Sequence, residues 1–380
     1  MPIYWTFLIL PLALKAIFKL FEEKSLLFQN KDKNERFIVV ALFALIIFFA
    51  GMRSYVADSH IYARSYMWEL PNTLSAFRMD DYDRDWFFYF LSTVFKVVTK
   101  GSYNAWFMAI AAISGYYFGR AVIRYSEYKW LSCYLFVAGN LFSYFFNGMR
   151  QFIAMAVLMG CIGLLLEKKY VKFILLIAFL AQIHGSAWFF IIVIFLQRCE
   201  PWSKMMGGVV VLSLIAGLCF DSLTGVMDTV LENTQYAGMG AEMASGEGSS
   251  VIRVLVDAVP VVLAWIGREQ IRHENNTFID LCVNCSIMNM ALMILSTFSF
   301  GIYMGRVAIY FGMFNIFLLP WLLFKLTSGK NTKIIVAAFI AVYGLYFFYQ
   351  MEIAWNGWPY VSDVLNLKFL GRNIMDLNNY

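Results

Sequence analysis

Near-continuous apolar runs recur along this chain, and they constrain its fold more than any other feature of the sequence. A helix that crosses a membrane needs about 20 mostly apolar residues, with roughly 17 as the lower limit. Hydrophobic residues make up 61% of the chain and charged residues only 14%, so we expect lipid to solvate much of the surface. This composition argues against a soluble enzyme, a nucleic-acid-binding protein and a disulfide scaffold. Full spans are predicted for ten runs, at residues 3–20, 37–52, 104–119, 131–149, 151–166, 206–220, 251–266, 278–299, 304–324 and 334–350.

Three further apolar runs are too short to cross a bilayer. Residues 86–98, 173–183 and 186–196 would each cover about half of its thickness at about 1.5 Å per residue. We interpret the first as a re-entrant or interfacial half-helix. The other two are interpreted as a hairpin over 173–196 with its apex at Gln182-Ile183-His184-Gly185. The predicted fold is an all-α, polytopic membrane protein with about ten full spans plus these half-helices.

The basic residues predict the orientation, because Lys and Arg accumulate in the cytoplasmic loops of membrane proteins. Placing the most basic segments inside puts both the N-terminus and the C-terminus outside. This alternation requires that 86–98 does not cross and that 173–196 returns to the side on which it starts. Met1–Leu10 lacks a basic stretch and is predicted to begin a transmembrane helix rather than a cleaved signal peptide. The segments placed inside are 22–36, 167–172 and 325–333.

No separate soluble domain is predicted. Residues 1–350 are expected to form a single polytopic membrane domain, with 351–380 as a C-terminal outer tail. The outer loops 53–103 and 221–250 are expected to lie over the active cavity. The second of these contains Gly238–Ser250, a stretch rich in Gly, Ser and Glu that is typical of a plain linker or of a flexible lid.

Cys282 and Cys285 form a CxxC spacing at the start of a predicted span. A metal or redox role would need further ligands, and neither a second CxxC nor a pair of histidines accompanies them. Buried packing is the favoured interpretation, because a free cysteine behaves as a small hydrophobic residue.

Ionisable side chains beside apolar spans are costly and usually functional, and here they gather at the predicted outer ends of the spans. Arg53 follows the run 37–52 directly, in the pattern Arg53-x4-Asp58-x3-Tyr62. If a short helix begins near Ser59, Asp58 is its N-cap and shares a face with Tyr62. The alternative is that Arg53 is an ordinary interfacial residue and Asp58 only a cap.

Asp85 and His184 belong to the predicted half-helices. Asp85 ends the acidic stretch before Trp86, and it either faces a cavity or is part of a solvated turn. His184 lies at the hairpin apex, where non-helical backbone requires protein or a water-filled cavity around it. A satisfied structural histidine is the alternative there.

Two arginines open predicted spans on the outer side. Arg150-Gln151 follows a tight turn between two apolar runs, where a cation opposes the helix dipole and suits an anionic partner. Arg306 opens the run 304–324, with Tyr310 one helical turn later. For both arginines the alternative is a cation that only reaches the membrane interface.

Together these positions bring three arginines, one histidine and two carboxylates to the same predicted side. The planar fork of arginine binds diphosphate oxygens in a bidentate manner. A histidine or carboxylate beside it can accept the proton of a hydroxyl group. Arginine can also neutralise a departing diphosphate, so the sequence requires neither a metal nor a cofactor.

In this order, five elements resemble the EpsG family of Wzy-like bacterial polysaccharide polymerases, over roughly residues 37–325. The Arg-Gln and His-x-Ser-Ala elements are the most specific. The family often has a Glu-Pro-Gly-like element before the half-helix, and Asp85-Trp86-Phe87 stands in its place here. The elements are Arg53-x4-Asp58-x3-Tyr62, Asp85-Trp86-Phe87, Asn147-Gly148-Met149-Arg150-Gln151-Phe152, Ala181-x2-His184-Gly185-Ser186-Ala187 and Arg306-x3-Tyr310.

The resemblance implies a glycosyltransferase of the bacterial cytoplasmic membrane, with an active site that faces the periplasm or the cell exterior. Its substrates would be oligosaccharide repeat units on undecaprenyl diphosphate, and the lipid diphosphate would be the leaving group. The product would be an exopolysaccharide, a capsule or an O-antigen. The expected partners are the growing polysaccharide, the lipid bilayer, and a chain-length regulator and flippase of the same pathway, with no nucleic acid.

The resemblance and the residue chemistry together assign roles as a hypothesis. The expected catalytic residues are His184, Asp58 and Arg150. His184 or Asp58 would activate the acceptor hydroxyl, while Arg150 would stabilise charge on the leaving diphosphate. The expected substrate-binding residues are Arg53, Tyr62, Asp85, Gln151, Arg306 and Tyr310.

Two other classes of membrane protein fit part of the pattern. A lipid-linked oligosaccharide flippase also needs arginines for diphosphate, but it should show internal repeats and polar groups near the midplane. A membrane O-acyltransferase or an O-antigen ligase would also be outward-facing and depend on Arg or His. Chain-length analysis of the glycan in a deletion strain separates these classes from a polymerase.

Overall fold

The fold is taken from a computed structural model. It describes residues 2–22, 29–82, 84–219, 248–298 and 301–371. Asp83, most of the predicted loop 221–250 and the last nine residues of the predicted tail lie outside the described residues, as does most of Gly238–Ser250.

The all-α prediction is confirmed, since helices dominate and the described residues contain only two strands of three residues each. A π-helical turn extends α3, and short 3₁₀ segments lie between several helices. In chain order the elements are α1 (Pro2–Phe21), α2 (Lys31–Met52), α3 (Ser59–Arg64), α4 (Trp86–Thr99), α5 (Tyr103–Tyr125), α6 (Lys129–Ala138), α7 (Met149–Gly160), α8 (Gly163–Leu166), α9 (Tyr170–Ala181), α10 (Ile192–Leu196), α11 (Lys204–Leu218), α12 (Val251–Ile266), α13 (Arg268–Glu274), α14 (Thr277–Leu295), α15 (Gly301–Gly312), α16 (Asn315–Leu326), α17 (Gly329–Phe348), β1 (Tyr360–Ser362) and β2 (Leu367–Phe369).

Five helices in the described part of the chain are long and apolar enough to cross a membrane. A sixth span results if Met304–Gly312 and Asn315–Leu326, which meet at an angle of 46°, are counted as one. The predicted total of ten spans and the predicted side of each terminus stay predictions. The five helices are Pro2–Phe21, Lys31–Met52, Tyr103–Tyr125, Thr277–Leu295 and Asn331–Ala354.

Some predicted runs are interrupted for local reasons. The run 131–149 contains Gly139-Asn140, where α6 ends and Asn140 adopts a left-handed conformation with φ of 63°. Asn tolerates this region better than most residues. The run 304–324 breaks after Gly312, where a Cβ atom would lie 2.8 Å from Oδ1 of Asn289. Hydropathy alone therefore overestimated the length of continuous helix.

Short helical segments occur where the short apolar runs predicted them. The first run forms α4, of 14 residues, and the second forms α9, of 12 residues. The third run is a 3₁₀ segment, Gly185–Ile191, followed by α10. The gap between α9 and this segment, residues 182–184, lies within the predicted apex at 182–185.

The described chain divides into two compact units, Met1–Trp188 with Gly329–Tyr380, and Phe189–Ser328. In the first unit, α2 packs closely on α5. Cβ atoms at Gly51 and Gly115 would lie 2.5 Å from Met108 and 2.6 Å from Ile47. Small residues permit such close helix contacts without a water-driven core.

The second unit is built around α14, most of which is buried. Polar side chains on this helix are hydrogen-bonded, as burial in an apolar helix requires. Asn289 donates to Asp257 at 2.8 Å, and Ser286 donates to Asn315 at 2.6 Å. Cys282 and Cys285 are both fully buried on α14, which agrees with a packing role.

In the first unit, the segment predicted as an outer tail forms a hairpin that attaches to the end of α2. β1 pairs with β2 in antiparallel register, and Val361 also bridges to Tyr55. The Val361 N–H donates to Tyr55 O at 2.9 Å, and the Ser54 N–H donates to Val361 O at 2.8 Å. Tyr360 donates its hydroxyl to Phe49 O at 2.9 Å. The hairpin therefore holds the loop that leads from α2 to α3.

Replacing Val361 by proline is expected to loosen this attachment. Proline lacks the N–H that bonds Tyr55 O, and an unmade buried hydrogen bond costs about 1–3 kcal/mol. The midpoint of thermal unfolding in detergent should fall, whereas Val361→Ala, which keeps the N–H, should lower it less. Equal midpoints for the two variants would show that the hairpin does not hold the loop.

Candidate functional site

Asp85 connects three segments of the first unit that are far apart in sequence. Its Oδ2 atom lies 3.0 Å from Nη1 of Arg150, 65 residues away. Its Oδ1 atom accepts the N–H of Gly185 at 3.0 Å, across 100 residues. The residue adopts a left-handed conformation with φ of 56° and makes no side-chain cap bond to α4. Such backbone conformations are costly and concentrate at functional sites.

Burial raises the pKa of the Asp85 carboxyl above its usual value, although the Arg150 guanidinium and the Gly185 N–H both act to lower it. A buried carboxyl resists ionisation because the low dielectric disfavours charge. Arg150 and the Gly185 N–H therefore offset part of the cost of burying the Asp85 carboxyl, and Asp85 in turn holds both groups in place.

Arg150 lies in the first turn of α7, after Gly148, whose φ of 78° suits glycine. Nη1 also donates to the Tyr89 hydroxyl at 3.2 Å. The guanidinium carbon lies 5.7 Å from the ring centres of Tyr62 and Tyr89. Its Nε atom is buried and has no hydrogen-bond partner among the described residues, which is unusual for a charged donor. Arg150 is thus oriented by protein groups, and its Nε donor has no hydrogen-bond partner among the described residues.

The apex between α9 and the 3₁₀ segment lies against the start of α4. Trp86 donates its indole N–H to Oε1 of Gln182 at 2.9 Å. At the apex, Nδ1 of His184 accepts the Ser186 backbone N–H at 3.3 Å and lies 2.7 Å from the Ser186 hydroxyl. Both contacts involve Nδ1, so the backbone and the side chain of Ser186 together hold the ring at the apex.

A cleft of about 270 Å³ opens beside Arg150. Three of the predicted site residues, Asp58, Tyr62 and Arg150, line this cleft. The sequence pattern predicted that Asp58 and Tyr62 share one helix face, and both are in the lining. Asp58 immediately precedes α3, as predicted, but its side chain makes no capping hydrogen bond. The lining residues are Asp58, Ile61, Tyr62, Ser65, Tyr66, Glu69, Leu70, Phe88, Tyr89, Trp106 and Arg150.

Arg53 is fully buried and does not line the cleft. Its Nε atom donates to the Ser59 hydroxyl at 2.7 Å, and its guanidinium carbon lies 3.9 Å from the ring centre of Phe107. Nη2 lies 3.4 Å from the sulfur of Met149. Arg53 therefore contacts both the start of α3, beside Asp58, and the residue before Arg150. These contacts join the start of α3 to the start of α7.

Arg53→Lys and Ser59→Ala are expected to behave alike. Each variant removes the Nε–Ser59 hydrogen bond, which costs about 1–3 kcal/mol when a buried polar group is left unsatisfied. Both should lower the unfolding midpoint and the turnover number with little change in KM. A raised KM confined to the Arg53 variant would instead support the substrate-binding role predicted from the sequence.

The remaining predicted residues occupy different settings. Gln151, the residue that follows Arg150 on α7, is buried. In the second unit, Arg306 is exposed on α15, whereas Tyr310 is fully buried with its ring 5.9 Å from that of Phe190. Within the first unit the structure thus brings together Asp58, Tyr62, Asp85 and Arg150, with the His184 apex bonded to Asp85 through Gly185.

Two residues of the candidate site, Tyr89 and Glu69, were not predicted from the sequence. Tyr89 follows Asp85 at i+4 on α4, which places both near Arg150. Glu69 is the last residue of the π-helical turn that extends α3, and it lines the same cleft. Helical spacing from Asp85 was the available signal for Tyr89, whereas the π-helical turn breaks the regular spacing from Asp58 to Glu69. No cluster of three or more potential metal ligands occurs in the part of the chain that the structure describes.

The EpsG family model matches residues 36–362 of the chain. This range contains every residue that lines the cleft, the Asp85–Arg150 pair and the His184 apex, and it ends at the last residue of β1. No curated protein and no solved structure matches the chain.

Proposed function

The chain belongs to the EpsG family, and on that premise we propose that it joins lipid-linked oligosaccharide repeat units into a polysaccharide by glycosyl transfer. The proposed substrates are repeat units on undecaprenyl diphosphate at the outer face of the bacterial cytoplasmic membrane. The product is an exopolysaccharide, capsule or O-antigen chain, longer by one unit after each transfer.

One observation carries this proposal: a single cleft contains a carboxylate without an ion-pair partner and an oriented arginine. Asp58 and Arg150 both line the cleft, and Asp58 forms no ion pair among the described residues. A glycosyl transfer that releases diphosphate needs a base for the acceptor and a cation for the leaving group. The cleft supplies both kinds of group.

The proposed reaction assigns each group a step. The acceptor hydroxyl of the incoming unit attacks the anomeric carbon of the growing chain, and its proton passes to the Asp58 carboxylate. The bond between that carbon and the diphosphate oxygen breaks. Arg150 stabilises the negative charge that develops on this oxygen, and the lipid diphosphate leaves.

Asp58 is a better base than His184 in this arrangement. Nδ1 of His184 is engaged by the backbone N–H and the hydroxyl of Ser186, whereas the Asp58 carboxylate makes no ion pair or capping bond among the described residues. We assign His184 a donor role, in which it bonds the diphosphate or a sugar hydroxyl. Arg306 keeps its proposed role in diphosphate binding, and Arg53 becomes a positioning residue because it is fully buried.

The test is reconstitution of the full-length protein in liposomes with purified lipid-linked repeat units. We expect a ladder of glycans that differ by one repeat unit, with release of undecaprenyl diphosphate in equal amount. Transfer of a unit across the bilayer without elongation would identify a flippase instead. Addition of an acyl group or attachment to lipid A without elongation would identify an acyltransferase or a ligase.

A further inference from the structure

The charges that line the cleft are unevenly balanced. Arg150 is the only cation among the lining residues, and it is paired with Asp85 at 3.0 Å. Asp58 and Glu69 also line the cleft, and neither forms an ion pair or hydrogen bond through its carboxylate among the described residues. The lining therefore carries two carboxylates that form no ion pair among the described residues.

Two other cations of the same region, Lys96 and Arg64, do not line the cleft. Lys96 is buried and donates its ammonium protons to the carbonyl oxygens of Met67 at 2.9 Å and Leu70 at 2.6 Å. It does not line the cleft. Arg64 is exposed at the end of α3 and also does not line the cleft. A ligand in the cleft thus meets mainly carboxylate oxygens and aromatic surface.

The size and walls of the cleft suit one sugar residue. About 270 Å³ corresponds to roughly nine water molecules in the liquid. Tyr66 and Trp106 stack with ring centres 4.6 Å apart and form one wall. Trp106 is fixed by a hydrogen bond from its indole N–H to Ser92 at 3.2 Å. Tyr62 and Tyr89 are only partly buried and line another side, where the Tyr89 hydroxyl accepts a hydrogen bond from Arg150.

We propose that this cleft binds the acceptor sugar and selects a neutral or amino sugar over a sugar acid, with Glu69 as the residue that enforces the choice. The inference rests on the proposed function in taking the ligand to be a sugar of the repeat unit. A carboxylate on the acceptor sugar would meet like charges at Asp58 and Glu69, whereas the donor diphosphate is assigned to Arg150. Salt screens this repulsion only in part at distances shorter than the Debye length, which is about 8 Å at physiological ionic strength. Neutral hydroxyls and ammonium groups are instead good donors to the two carboxylates.

Binding of soluble glycosides to the purified full-length protein tests the selectivity directly. The probes are the methyl glycosides of glucose, glucosamine and glucuronic acid, titrated by saturation-transfer NMR. We expect the first two to bind at least tenfold more tightly than the third, a difference of about 1.4 kcal/mol. In Glu69→Gln this ratio should shrink, whereas Asp80→Asn, which removes an exposed acid of the same loop that does not line the cleft, should leave it unchanged.

Elongation assays separate this inference from the proposed function. Lipid-linked units that end in each of the three sugars are supplied to the reconstituted protein. Equal binding and equal elongation of the glucuronic acid form would overturn the selectivity while the polymerase assignment stands. Selective binding without elongation of any unit would overturn the polymerase assignment while the cleft remains a selective sugar site.

Discussion

Replacing Arg150 by alanine is expected to lower the rate of chain elongation by about 10²–10³-fold. Loss of one preoriented group that stabilises transition-state charge typically costs this much. The substitution also leaves Asp85 buried without its cation, which raises the pKa of its carboxyl further. The measurement is the initial rate of diphosphate release in liposomes, with the amount of folded protein checked by gel filtration in detergent.

Two further variants separate the charge of Arg150 from its shape. Arg150→Lys keeps a cation that can pair with Asp85 but loses the planar fork that also reaches Tyr89. Its rate should lie between those of the wild type and the alanine variant. Arg64→Ala removes an exposed arginine outside the cleft and should retain full activity. Wild-type elongation by Arg150→Ala would exclude Arg150 from the reaction.

Replacing Asp58 by asparagine is expected to lower the turnover number by about 10²–10⁴-fold, the usual contribution of a positioned general base. Asparagine keeps the size of the side chain and serves at helix N-termini as well as aspartate does. Folding and KM should therefore change little, since Asp58 makes no side-chain capping bond that could be lost. Single-turnover kinetics would report the chemical step directly.

The matched control for Asp58 is Asp80→Asn, which removes a carboxylate outside the cleft and should leave turnover unchanged. His184→Gln provides a second comparison. If His184 only donates a hydrogen bond, glutamine should retain much of the activity, because its amide also donates. A greater loss in His184→Gln than in Asp58→Asn would transfer the role of general base to His184.

Local sequence patterns were sufficient for the helices and for part of the site. The apolar runs predicted the positions of the helices because burial in lipid depends on the composition of each segment. The spacing of Asp58 and Tyr62 placed both residues on one face of a helix that begins at Ser59. The break at the apex of 173–196 also followed from the sequence, since both runs are too short to cross.

The same patterns did not predict helix breaks or side-chain burial that depend on residues elsewhere in the chain. Asn140 and Gly312 interrupt runs that hydropathy treats as continuous, because close contacts and backbone conformation do not appear in an average of apolarity. Arg53 was predicted to bind substrate from its place at a span end. Its complete burial depends on Phe107 and Ser59, which lie on other elements.

The sequence by itself determined the all-α class, the approximate positions of the helices, and the residue types that can bind diphosphate and accept a proton. Periodicity and burial preference are properties of short segments, so they can be read locally. Only the tertiary structure decided that Asp85 pairs with Arg150 and accepts the Gly185 N–H, that Arg53 is enclosed, and that Glu69 shares a cleft with Asp58. These contacts join residues up to 100 positions apart, and their formation depends on how whole helices pack rather than on the sequence around either partner.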